Sequence, residues 1–214
     1  MNDYAFRQAI TFVSTDSYWQ IFSGKLQIAG TPIDGCQLNY MLIDDAIEAA
    51  KAAGKLFPVR PTVPWAGEPR AFLMCSALYK TIAIGKTSRD ERARRRWATL
   101  EADMSYFIEG GLITEDLLKQ LKPFPYEHWE LRSRKPKPSL RVFGRFAKPN
   151  VFVGTHVDRR DRLGGMWSPE FEHEKLVCED HWNDAGLPKP FTHPRFEYEA
   201  YITENAIRKL KVQR

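Results

Sequence analysis

WELRSRKPKPSLRVFGRFAKPNVFVGTHVDRRD, residues 129–161, decides the fold. WELR, LRVFGRF and NVFVGTHV are each four to eight residues long and rich in β-branched and aromatic side chains, with polar residues alternating among them. KPKP and AKPN punctuate them, and proline does not sit inside a central strand. The stretch therefore predicts three strands in an antiparallel meander. The same stretch is heavily basic. From Glu130 to Leu163 ten arginines and lysines face three acids, so 34 residues carry +7, whereas the whole chain carries +5 and residues 1–85 balance seven basic against seven acidic residues. A surplus confined to one region points to a phosphate-facing surface rather than to general solubility.

Upstream, SRDERARRRWATLEADMSYFIE predicts a helix from Ser88 to about Glu109. Ser88 and Glu91 have capping-box spacing, Trp97, Leu100, Met104, Phe107 and Ile108 form an apolar face, and Gly110 and Gly111 stop it. A second helix is expected from Thr114 to Pro123. Asn39 to Ala53 reads as a helix closed by Gly54, and Tyr4 to Phe22 as an opening helix. Prolines 58, 61, 64 and 69 imply an extended edge or a crossing connection, and Arg70 to Lys86 fits either a helix or a strand. Ser168 and Pro169 open a helix within Trp167 to Trp182, and Tyr198 to Lys211 has helical spacing. The expected class is α+β: a helical hairpin on a small antiparallel sheet, with an N-terminal helical and extended region and a C-terminal helix. Residues 1–85 are read as an extension packing on a core domain of residues 86–214.

At 214 residues with 43 % hydrophobic content, the chain suits one good-sized domain or a small domain with a folded extension. Cys36, Cys75 and Cys178 include no CxxC pair, which argues for a reducing compartment and for buried or bystander thiols. The amino terminus lacks signal-peptide character, and no stretch approaches 18 apolar residues. Cytoplasm without membrane association is the expectation. No GxxxxGK[ST], GxGxxG after a strand, or HExxH occurs, so nucleotide-loop and metalloprotease readings have no motif. His173, Cys178, His181 and His193 have zinc-binding chemistry, but 173 and 178 diverge by about 140° on one helix. No metal or cofactor is expected. Tyr126, Trp129, Trp167 and Trp182 are either base-stacking platforms or core.

The order of a basic helix, a double-glycine turn, a leucine-rich second helix, then Glu130-Leu131-Arg132, Arg141-Val142-Phe143 and a strand running through His156 to Arg159-Arg160 resembles RelE/HigB-like toxins. The resemblance covers about residues 89–185. It implies a RelE-like α+β fold, a toxin-antitoxin setting, and ribosome-dependent or free endoribonuclease activity that inhibits translation, although some relatives are not nucleases. RNA, free or on the ribosome, and an antitoxin or target protein are the implied partners.

Metal-free RNA cleavage needs an in-line 2′-hydroxyl, stabilisation of phosphate charge, and proton transfer. Arginine offers a planar fork to phosphate oxygens, and histidine titrates near neutrality. Arg132, Arg141, His156 and Arg159 are thus the expected catalytic group, with Arg141 and Arg145 on one strand face either side of Phe143. Arg134, Lys135, Lys137, Arg145, Lys148, Arg160 and Arg162 are expected to bind nucleic acid. The competing expectation is a non-enzymatic binder that uses the same fold to block a protein or nucleic-acid complex.

Overall fold

The computed structural model describes residues 35–61, 70–122, 127–165, 167–194 and 198–207. The expected opening helix at Tyr4 to Phe22, most of the proline-rich connection, Tyr126 and the tail beyond 207 lie outside these residues.

Helix α1 (Gly35–Ala52) ends at Gly54, whose φ of +67° is the left-handed conformation that favours glycine after a helix. Edge strand β1 (Leu56–Pro58) pairs antiparallel with β2 (Ala71–Cys75), which turns directly into α2 (Ser76–Lys86), so the ambiguous segment 70–86 is both strand and helix. Next comes α3 (Glu91–Ile108). Asp90 rather than Ser88 caps it, accepting from the Arg92 N–H at 2.9 Å, while Ser88 Oγ accepts from the Asp90 N–H. The helical hairpin is therefore α2 with α3. At their contact a side chain on Gly85 would collide with the Trp97 ring, its Cβ falling 2.1 Å from the nearest ring atom.

The expected helix at Thr114 to Pro123 is not formed. In its place stand β3 (Ile113–Thr114) and β4 (Leu118–Gln120). Leu117, Leu118 and Leu121 satisfy either period, and the open edge of the next strand offers backbone partners that decide between them. The meander follows as expected, with β5 (Trp129–Ser133), β6 (Leu140–Lys148) and β7 (Val151–Arg159) paired antiparallel. Ser168 caps α4 (Pro169–Asp184) by accepting from the Phe171 N–H. Among the described residues the tail forms one helical turn, α5 (Tyr198–Tyr201), before β8 (Ala206–Ile207) pairs with β3. Tail-to-core bonds interrupt the expected long helix: the Asn150 N–H donates to Tyr201 O at 2.9 Å, and the Thr203 N–H donates to Asn150 Oδ1 at 3.1 Å.

The main sheet has the order β1-β2-β7-β6-β5-β4 and is mixed, because β2 runs parallel to β7. The α+β class holds. The sheet is larger than the small antiparallel one expected, and helices cover both of its faces. Phe72, Leu78, Leu100, Met104, Phe107 and Trp129 belong to the core on the α2/α3 side. Ile43 and Ile47 of α1 and Trp182 of α4 pack with Leu73 and Val153 on the other. Residues from Gly35 onward form one compact unit, and the boundary expected at 85/86 falls inside it, within the last turn of α2. Among the described residues no helix is long and apolar enough to cross a membrane.

Candidate nucleic-acid interface

Cross-strand register brings Arg132 of β5 opposite Arg141 of β6, and both meet one acid. Glu130 lies 2.6 Å from Arg132 Nε and 3.4 Å from Arg141 Nε. Only 3 % of Glu130 and 7 % of Arg141 are exposed. Burial pushes the Arg141 guanidinium below its ordinary pKa, and Glu130 acts in the opposite direction. Arg141 Nη1 also donates to Leu140 O at 3.0 Å. This guanidinium is committed to the protein interior.

His156 pairs with Phe143 in register, on the sheet face covered by α4. Its ring stacks on Phe143 with centroids 5.0 Å apart and planes within 4°. Nε2 lies 2.7 Å from Glu174 Oε2 and Nδ1 lies 3.0 Å from Thr155 Oγ1, so both ring nitrogens are engaged. Arg145, also buried, reaches Glu179 at 3.3 Å and lies over the Trp182 ring. His128 Nε2 is 3.3 Å from the same Glu179 oxygen, and burial, followed by the charges of Arg145 and Lys175, pushes its pKa down to about 3. Glu174 and Glu179 of α4 therefore meet His156, His128 and Arg145 on the sheet side that α4 covers.

Register and alternation put Arg132, Arg141 and His156 of the expected catalytic group on one sheet face and separate Arg159 from them. Arg159 pairs with Leu140 in register, which by strand alternation puts it on the face opposite His156, and it grips Asp161 through two bonds of 3.0 and 2.5 Å. Arg160 donates to the carbonyls of Leu163 and Gly164, closing the turn after β7. Arg162 lies 3.7 Å from Asp158, and Lys148 lies 2.5 Å from Asp44 of α1. Arg134 meets Asp116 at 2.7 Å in an exposed pair. Lys135 and Lys137 are exposed and have no ion-pair partner among the described residues. The +7 of the sequence is thus distributed over the molecule: part of it is buried, and part is exposed where β5 ends.

That end of β5 borders an open cleft of about 570 Å³. Arg132, Arg134 and Lys135 line the cleft from β5 and just beyond it, Thr99, Asp103 and Tyr106 from α3, and Leu112, Thr114, Asp116 and Leu117 from the connection between them. Helical spacing extends the α3 wall through Arg96 to Arg92, giving a basic approach to the cleft. Tyr106 is 47 % exposed. Its hydroxyl accepts from the Leu112 N–H at 3.0 Å, and its ring lies where a side chain on Gly111 would be, within 2.4 Å of an added Cβ. Burial raises the Asp103 carboxyl above its ordinary pKa, against the opposing effect of the Ser133 hydroxyl.

Glu130, Glu174, Glu179, Asp103 and Tyr106 are absent from the expected site. A signal for two of them is visible in EFEHEKLVCED, an acid-rich helix opposite in charge to the strands it covers. Comparison with protein-family models, with curated proteins and with solved structures finds no match to this chain.

Proposed function

We propose that this protein binds single-stranded RNA in the cleft between α3 and the end of β5, and that it acts as a binder rather than through His156-based cleavage. The observation that carries the reading is the cleft itself, where three basic side chains and an exposed tyrosine line one open volume of about 570 Å³. Single-stranded nucleic acid is held in this way, with cations tracking the backbone and an aromatic ring stacking a base. Against cleavage stand the two occupied nitrogens of His156 and the burial of Arg141, because a general acid or base must reach the proton it transfers.

Fluorescence anisotropy with a labelled single-stranded RNA tests the reading. Three contacts, from Arg132, Arg134 and Lys135, give a log–log salt slope of about −2. Adding Lys137, Arg92 and Arg96 steepens it to about −4. Arg134→Ala with Lys135→Ala should weaken binding and flatten the slope by about 1.4. Affinity indifferent to salt and to this double substitution would overturn the proposal. RNA cleavage abolished by His156→Gln would establish the enzymatic reading in its place.

A further inference from the structure

Resting on that reading, we infer that the cleft selects a guanine within the bound strand: Tyr106 stacks on the base and the Asp103 carboxylate accepts hydrogen bonds from its N1–H and N2–H.

Two acids line the cleft; Asp116 is paired with Arg134, which leaves Asp103 as the one that phosphate binding does not explain. A carboxylate in a cleft lined by Arg132, Arg134 and Lys135 repels the backbone those residues attract. It does not serve to hold them either, since Arg132 is engaged by Glu130 and Arg134 by Asp116. The Ser133 hydroxyl takes one of its acceptor positions, and the carboxylate's remaining positions are open to a ligand donor. Tyr106 follows Asp103 by three residues on α3, so ring and carboxylate border the same volume from one helix face. The ring's position is fixed by the Leu112 N–H and by the bare backbone of Gly111. About 570 Å³ is ample for a nucleotide, as ligand pockets start near 300 Å³.

The pairing chemistry chooses the base. A carboxylate presents two parallel acceptors, and guanine is the base whose Watson–Crick edge presents two adjacent donors, N1–H and N2–H. Adenine and cytosine each set one amino group beside a ring-nitrogen acceptor. Uracil flanks its single N3–H with two carbonyls that a carboxylate repels. A wrong base therefore leaves a desolvated acceptor unpaired, and a site built for hydrogen bonding discriminates strongly on that ground. Discrimination by a bidentate pair corresponds to about five- to 150-fold in affinity.

The test uses the full chain and labelled 12-nucleotide RNAs that share an adenine and uracil background and differ at one central position. Guanine should bind about five- to 150-fold more tightly than adenine, cytosine or uracil. Inosine, which keeps N1–H and lacks the 2-amino group, should fall between, and this comparison needs no variant protein. Asp103→Asn should remove the preference, bringing the guanine strand to the affinity of the others. The wild-type preference should also fade on acidification, beginning above the usual carboxylate range, because Asp103 takes up its proton early. Equal binding of all four bases, equal binding of inosine and guanine, or a guanine preference that survives Asp103→Asn would each overturn the inference with RNA binding intact. Failure to bind any strand would instead remove the underlying reading.

Discussion

Glu130→Leu probes whether Arg141 serves the fold. Glu130 and Arg141 are 3 % and 7 % exposed, and their charged atoms approach to 3.4 Å. At an effective dielectric of about 20, opposite unit charges at that separation attract by about 5 kcal/mol. Desolvation of both ions offsets much of this attraction in the intact pair, but removing the acid leaves the arginine buried without compensation. The expected loss is about 3–5 kcal/mol. The pair of Glu130 with Arg132 adds less, because that arginine side chain is 21 % exposed and keeps part of its hydration. Arg141→Met alone should cost about 1–3 kcal/mol, since Glu130 retains Arg132. In the double variant both charges are gone, so its loss should fall short of the sum by about 2 kcal/mol, a coupling within the range found for contacting residues. Urea unfolding followed by tryptophan fluorescence measures all four corners of the cycle. A Glu130→Leu loss under about 1 kcal/mol, or strictly additive losses, would refute the assignment of Arg141 to a buried ion cluster.

Three further outcomes follow from the covered face. His128, with its folded pKa near 3 against about 6.5 for a water-exposed histidine in the unfolded chain, stays neutral while the unfolded chain takes a proton, so stability should fall as pH drops from about 6.5 toward 3, by up to about 5 kcal/mol; His128→Gln should flatten this slope in pH-dependent urea titrations, and an unchanged slope would contradict the burial argument. His156→Gln breaks contacts to Thr155 and Glu174, so it should lower stability by about 1–3 kcal/mol in the same unfolding assay and leave RNA affinity unchanged in anisotropy. Cys75 and Cys178 are buried with thiols pushed up to about 12, and mass mapping after alkylation of the native protein at pH 8 should find both unmodified.

The strands β5 to β7 were legible because proline, glycine and alternation all agreed over residues 129–159. Helices α1, α3 and α4 were legible from their apolar faces and end signals, though Asp90 took the capping role that Ser88 promised. Leu117, Leu118 and Leu121 misled, since a short leucine-rich run fits either period and only pairing with β5 settles it. The tail misled for a related reason: its buried tyrosines and its bonds to Asn150 compete with continued helix. For the site, sequence showed where the cations are but not which acids meet them. Glu174 and Glu179 lie on a helix distant in sequence from the strands they neutralise, and proximity of that kind is fixed by topology. Asp103 and Tyr106 were hidden in the polar remainder of α3, because nothing local marks one side of a helix as the wall of a cleft.

Hydrogen exchange on the full chain, with and without saturating single-stranded RNA, tests the central claim most directly. Protection should appear in peptides spanning 99–106, 112–117 and 132–135, which border the cleft, and should be absent from β7 around His156 and from α4. RNA-dependent protection centred on His156 and α4, with the cleft peptides unchanged, would contradict the account.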